Sequence, residues 1–197
     1  MTLQEQKNMI RKEKKKIRDN LSPEERHKKS IALANIGIKA IKFKEDNQIA
    51  IFFPIQSEVN INMLVEKIKI KKCSFCLPEI TDNKMVFRKY ENPKKLVKSS
   101  FSILSPPSYT CEMSPDIILV PLVAFDSQGN RIGYGKGYYD RAIANERLKG
   151  KNPYLVGIAY DIQETSCIQV ESTDIRLHAI LTESRFKKFD KEYTDKS

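Results

Sequence analysis

Apolar positions recur along this chain with two periods, one helical and one of strands, and their order sets the expected fold. Leu3, Ile10, Ile17 and Leu21 fall on one narrow stripe at about 100° per residue, which predicts a helix over residues 4–19 with that stripe as its buried seam. Lys7, Arg11, Lys14 and Arg18 form a second stripe directly beside the first. These cations therefore stand at the edge of the seam, within reach of a cleft, whereas Lys12 and Lys16 face away from it. Like charges four residues apart weaken a helix by roughly 0.2–0.5 kcal/mol per pair, so the stripe costs stability unless an anion offsets it. Leu21-Ser22-Pro23-Glu24-Glu25 predicts a break and a second helix, with Ser22 as N-cap, Pro23 at the first helical position and acids in the first turn. That helix is expected to reach about residue 43, with Ile31, Ala34, Ile38 and Ile41 on its apolar side.

Further along, apolar runs predict strands at 48–53, 73–77, 84–90, 116–121, 154–159 and 178–182, and helices at 60–71 and 136–148. Residues 92–109 form a proline- and serine-containing connection with one helical turn near 94–97. Strands alternating with helices predict an α/β layered fold, a mostly parallel central sheet flanked by helices, with a basic N-terminal helix. The 197 residues are expected to make a single domain, with a basic helical part over 1–44 and a charged tail over 187–197. In such folds ligands sit beyond the carboxyl ends of strands, which is where the residues after Phe53 and after Pro121 fall.

Charge narrows the partner. The net charge is +10, and residues 1–44 hold 13 Lys or Arg against 5 Asp or Glu, so +8 of it lies in the first quarter of the chain. That asymmetry points to an anion: nucleic acid, an acidic membrane or a small polyanion. The longest apolar run, 117–125, is interrupted by Pro121 and too short to span a bilayer. The lysine-rich N-terminus lacks the apolar core of a secretory signal, so a cytoplasmic location with no membrane partner is expected. A nucleic-acid module would spread its cations and expose stacking aromatics. Here the motif-rich half is nearly neutral and its aromatics gather near glycines and Asp140, so no nucleic-acid partner is expected. Cys73 and Cys76 make a C-x-x-C inside a predicted strand, where positions three apart point to opposite faces. With no second pair and only the remote His27 and His178, free thiols are expected rather than zinc or a redox pair.

The chemistry concentrates in residues 121–141, PLVAFDSQGNRIGYGKGYYDR, which contain three of the seven glycines at alternate positions 133, 135 and 137 with Lys136 between the last two. Glycines allow positive φ and close approach of a ligand, and successive N–H groups in such a turn form a nest for phosphate oxygens. A helix starting near Lys136 would add its dipole, and the ammonium a mobile charge. The spacing is neither that of the P-loop nor that of the dinucleotide fingerprint. Arg131, Lys136, Tyr138, Tyr139, Asp140 and Arg141 place cations, stacking rings and a carboxylate able to bind metal within eleven residues. Upstream, Glu58 stands just before a predicted helix. Taken singly, the glycines also suit a flexible hairpin, and Glu58 also suits a carboxylate stabilised by a helix dipole.

As a whole, PLVAFDSQGNRIGYGKGYYDR closely resembles the signature of the 5-formyltetrahydrofolate cyclo-ligase family, also called methenyltetrahydrofolate synthetase. The likeness extends to the basic helix before LSPEER, to FFPIQSEVN and to VESTDIRLHAILTES. It implies ATP-dependent conversion of 5-formyltetrahydrofolate into 5,10-methenyltetrahydrofolate, ADP and phosphate, with Mg²⁺. Carried over by position, Lys7 and Arg11 match nucleotide-binding cations, and Arg131, Ile132, Gly133, Tyr134, Gly135, Lys136, Gly137, Tyr138 and Tyr139 match the nucleotide loop. Within that loop Tyr134 to Tyr138 also border the folate, Phe53 and Glu58 match substrate-contacting positions, and Asp140 and Asp174 match metal-binding carboxylates. The roles expected from this are Lys136 with the Gly135 and Gly137 amides on the β and γ phosphates, Arg131 assisting, Tyr138 and Phe53 against the pteridine, and Glu58 accepting from folate N–H groups. Lys136, Arg131 and Tyr138 form the expected catalytic set. The partners are then two small molecules, ATP and the folate, acting on a monomer. The chain departs from many relatives at Thr173, where they carry histidine, and at His178, where they carry an acid.

Overall fold

Both faces of one sheet are apolar in this chain, and the element order supplies a helical layer for each. A computed structural model describes residues 1–98 and 104–189. The order is α1 (Leu3–Asp19), α2 (Pro23–Ala40), β1 (Gln48–Ala50), α3 (Asn62–Lys69), β2 (Ser74–Thr81), β3 (Lys84–Tyr90), β4 (Val97–Lys98) and β5 (Leu104–Ser105). There follow β6 (Ile117–Pro121), β7 (Ala124–Asp126), β8 (Arg131–Ile132), α4 (Tyr138–Leu148), β9 (Tyr154–Ile158), β10 (Glu164–Thr165), β11 (Ala179–Leu181) and β12 (Phe186–Lys188). The main sheet runs β12-β11-β9-β6-β1-β2-β3. Its five inner strands are parallel and each edge strand is antiparallel, which is the mostly parallel sheet that the alternation predicts.

Strand β6 shows why the sheet is covered on both sides. Ile117 and Leu119 join the cluster that holds Leu33 of α2 and Leu64 and Ile68 of α3. Ile118 and Val120 point the other way, into the cluster of Ala142 and Ile143 on α4. Each such fully buried side chain contributes about 1.5–3 kcal/mol, so the alternation fixes which helix lies on which face. Helices α1 and α2 both begin in capping boxes, Thr2 with Glu5 and Ser22 with Glu25, and Pro23 occupies the first position of α2 as predicted.

The boundaries shift where tertiary pairing decides them. Helix α2 stops at Ala40 because Ile41 is already extended (φ −87°, ψ 127°). Strand β2 continues past residue 77, through Pro78 to Thr81; Pro78 lies beyond the end of β1, so its missing N–H costs no bond on that side. Asp82 and Asn83, at φ 51° and 61°, then form a two-residue turn into β3, a hairpin the apolar pattern did not announce. The predicted helical turn near 94–97 is a single 3₁₀ turn at Pro93–Lys95. Residues 187 and 188, placed in a charged tail by composition, instead pair with β11 (Ile180↔Lys187, Ala179↔Lys188). The rest of that tail, 190–197, and residues 99–103 of the 92–109 connection lie outside the described residues. Cys76 is buried and its thiol is pushed up by that burial, whereas Cys73 is partly exposed; both are free. Among the described residues no helix is long and apolar enough to cross a membrane.

Candidate active site

The carboxyl ends of β1 and β6 release two segments on the same side of the sheet, 51–60 and 122–137. Between them lies a cavity of about 620 Å³, and all fifteen residues singled out from the sequence border it, from Lys7 and Arg11 on α1 to Asp174 before β11. One wall is apolar, made by Phe52, Phe53 and Ile55 from the segment after β1 and by Pro78, Ile80 and Met85 from the β2–β3 hairpin. The hairpin part of that wall was not foreseen; its signal was the Asp82-Asn83 dipeptide between two strands. The tip of the hairpin is tied to α4, with Tyr138 Oη 3.4 Å from Asn83 Oδ1 and Arg141 donating to the Asn83 carbonyl at 3.4 Å.

The opposite wall is the glycine segment. Gly135 (φ 95°) and Gly137 (φ 63°) take positive φ, and the left-handed Gly137 is the N-cap of α4. The helix therefore starts at Tyr138, two residues later than the pattern predicts, and its N-terminus opens directly onto the turn. Gly133 differs from the other two: its φ is not positive, and its carbonyl accepts from Arg11 Nε at 2.8 Å. Arg141 closes the turn by donating to the Lys136 carbonyl at 2.8 Å, and Lys136 itself is exposed at the mouth.

Helix α1 corrects the sequence reading of its faces. The cationic stripe is the more deeply buried one, with Lys7 7% and Arg18 1% exposed, while Ile17 of the expected seam is 37% exposed. The surface beneath α1 offers polar partners to each cation in turn. Lys7 Nζ meets Asp174 Oδ2 at 2.5 Å and Glu171 Oε2 at 3.1 Å, Lys14 donates to the Ile162 carbonyl at 3.3 Å, and Arg18 donates to Ser57 Oγ and Tyr134 Oη, both at 2.9 Å. Ile10 and Leu21 still pack on apolar neighbours, so the seam survives as a flank of the polar face.

Electrostatics follow from this burial. Desolvation pulls the Lys7 ammonium down, but hydrogen bonds and charge from Asp174 and Glu171 outweigh it and the net shift is upward. Burial alone lowers the Arg11 guanidinium. Glu58 is 7% exposed, and burial pushes its carboxyl up against the Ile55 N–H at 3.0 Å, the Tyr134 hydroxyl and the charge of Arg18. Tyr134 is pushed up to about 12, by burial first and by Glu58 second.

Asp140 and Asp174 belong to one braced unit. Asp140 Oδ1 accepts from Arg131 at 2.8 Å and from the Ile175 N–H at 3.0 Å, while Arg131 also donates to the Ile175 carbonyl. The residue next to Asp174 is thus clamped through both its backbone groups. Among the described residues no cluster of three or more His, Cys, Asp or Glu is placed to hold a metal unaided. Asp140 and Asp174 both border the cavity, and Mg²⁺ ordinarily needs only one or two protein carboxylates because it keeps most of its shell as water and phosphate oxygen. His178 serves the fold instead: its Nδ1 accepts the Leu155 N–H at 2.8 Å and its ring stacks on Tyr154 at 5.2 Å.

The family model for the 5-formyltetrahydrofolate cyclo-ligase family matches residues 3–183. The chain is 29% identical over 184 residues to a 5-formyltetrahydrofolate cyclo-ligase of Haemophilus influenzae, covering 90% of this chain and 97% of that one. It is 31% identical over 144 residues to the Escherichia coli K12 protein of the same name, covering 70% and 78%. Of solved structures, the 5,10-methenyltetrahydrofolate synthetase of Aquifex aeolicus aligns with a TM-score of 0.79 at 29% identity, over 97% of this chain and 96% of that one. The synthetase of Mycoplasma pneumoniae aligns with a TM-score of 0.72 at 26% identity, over 90% and 98%.

Proposed function

The chain belongs to the 5-formyltetrahydrofolate cyclo-ligase family, and from that premise we propose that its cavity couples ring closure of 5-formyltetrahydrofolate to cleavage of ATP with Mg²⁺. Family membership carries the conversion of 5-formyltetrahydrofolate to methenyltetrahydrofolate. ATP, the metal and a phosphorylated formyl group are the finer reading. A formamide oxygen leaves poorly, so direct closure with loss of water is slow. Transfer of the γ-phosphoryl to that oxygen breaks the bond to ADP and activates the carbon. N10 then forms the C–N bond, phosphate departs with the C–O electron pair, and the N10 proton passes to solvent.

One observation supports this most strongly: a positive-φ glycine turn at the N-terminus of α4 shares a single cavity with an apolar wall that carries Phe52 and Phe53. Phosphoryl transfer is catalysed mainly by positioning and charge neutralisation, for which the groups at hand suffice. The amides of Gly135 and Gly137 and the ammonium of Lys136 hold the β and γ phosphates, with Lys7 and Arg11 above them. Arg131, committed to Asp140 and to the Ile175 carbonyl, assists by fixing the carboxylate that faces the phosphates. Asp140 and Asp174 would hold Mg²⁺, which when bound neutralises phosphate charge. Phe53 and Tyr138 sandwich the pteridine edge, and buried Glu58 accepts from its N–H groups. The test is the appearance of methenyltetrahydrofolate absorbance from 5-formyltetrahydrofolate with Mg·ATP. No product with ATP, or equal product without it, overturns the proposal.

A further inference from the structure

Among the described residues Arg18 is the largest fully buried side chain, yet it does not border the cavity. A guanidinium taken out of water at that depth needs its donors matched, and here the matching partners belong to the two opposite walls of the site. Nε donates to Ser57 Oγ at 2.9 Å, in the turn that carries Glu58. One terminal nitrogen donates to Tyr134 Oη at 2.9 Å, in the glycine segment. The other reaches the Leu122 carbonyl at 3.4 Å, where the chain leaves β6 toward that segment. Ser57 in turn donates to Asp19, the neighbour of Arg18 on α1, so the bracket is closed on the helix itself.

We propose that Arg18 is a positioning residue that locks the Glu58 turn to the nucleotide loop, so that the folate wall and the phosphate wall are held in one fixed relation. This rests on the function proposed above. The geometry favours the reading over simple core filling because a planar fork with donors in fixed directions can span two hydroxyls on separate loops, and an apolar side chain of the same volume cannot. Tyr134 is the shared element: its backbone lies between Gly133 and Gly135 in the glycine segment, while its hydroxyl and the charge of Arg18 both act on Glu58. Order at one wall is thereby passed to the other through two hydrogen bonds to a single cation.

Arg18→Ala can fail by unfolding, so the decisive variants are Ser57→Ala and Tyr134→Phe, each of which removes one hydroxyl, and the two combined. Steady-state KM for ATP and for 5-formyltetrahydrofolate is measured for each, with thermal melts to confirm folding. Ser57 stands on the folate side and outside the cavity lining, so a purely local role would leave the ATP KM where it was. The expected result is a rise of about tenfold in the ATP KM for Ser57→Ala, the size of a lost hydrogen bond to a charged group. Because both hydroxyls act through one guanidinium, the double variant should lose no more than the worse single one. An unchanged ATP KM in Ser57→Ala overturns the inference, as do losses that multiply in the double variant. Wild-type protein lacking ATP-dependent turnover would overturn the proposed function first and this inference with it.

Discussion

The three alternating glycines look equivalent in sequence, and the structure ranks them. Alanine at Gly133 meets no atom within 4 Å and needs no unusual φ. Its stability should stay within about 0.5 kcal/mol of wild type, as for an ordinary surface change. At Gly137 the φ of 63° lies in the left-handed region, which costs an L-residue about 1–2 kcal/mol, and the new methyl would stand 3.0 Å from a terminal nitrogen of Arg141, a flexible end able to move. At Gly135 the φ of 95° lies outside even that region, while the nearest atom, Arg11 Cζ, is 3.5 Å from the new methyl, an ordinary contact. The cost there is backbone strain alone, about 1–3 kcal/mol. Strain of about 1.4 kcal/mol is tenfold in a binding constant, so a loop that deforms to relieve it should lose about tenfold or more in ATP KM. Urea melts give the stability order and initial rates against ATP give the KM. If Gly133→Ala destabilises as much as Gly135→Ala, backbone conformation is not the reason glycine stands at these positions, and the argument for a preformed anion nest fails.

Lys136→Ala should abolish turnover while leaving the melting temperature almost unchanged, because the side chain is exposed on a loop; an active variant would remove Lys136 from the phosphate site. Lys7→Met should raise the ATP KM by about tenfold or more, since it deletes a buried cation held by two carboxylates at the cavity edge; an unchanged KM in initial-rate assays would make the ion pair purely structural. Glu58 has a folded-state pKa raised by burial, so its contribution to stability is complete below the unfolded value and is lost as pH rises through the folded one. Glu58→Gln should therefore gain stability over wild type in urea melts as pH rises above the ordinary glutamate range while its folate KM rises, and a gain that shrinks with pH would contradict the sign. Chelation should stop turnover, and Asp174→Asn should raise the Mg²⁺ needed for half-maximal rate by about tenfold or more; an unshifted Mg²⁺ titration would exclude Asp174 from the metal.

The layered fold was legible because β6 and β9 are apolar on consecutive positions, the mark of strands covered on both faces, and because Ser22-Pro23-Glu24-Glu25 starts a helix by local chemistry alone. The ends of elements were less so. Where β1 stops and how far β2 runs past Pro78 depend on which neighbour is still alongside, information that is absent from either strand's own residues. The fifteen residues singled out from the sequence come from separate segments and border one cavity. The depth at which Arg18 is buried escaped because periodicity assigns burial by hydropathy, and the surface under α1 is polar. The one clue was its place at the end of a run spaced four, three and four residues apart, which continues the face of Lys7 and Arg11.

That reversed helix limits how this protein can be made more robust. Replacing a buried ion pair with apolar residues can stabilise a core when both partners change, but leucine or methionine at position 7 or 18 alone would leave Asp174, Glu171, Ser57 and Tyr134 without their cation and remove the groups that grip the cavity. Directed evolution for heat resistance alone should therefore keep the cations at positions 7 and 18, because stability and the site depend on the same contacts. Gains in robustness have to be found elsewhere, on the exposed flanks of α2 and α3 or in the hairpin turn.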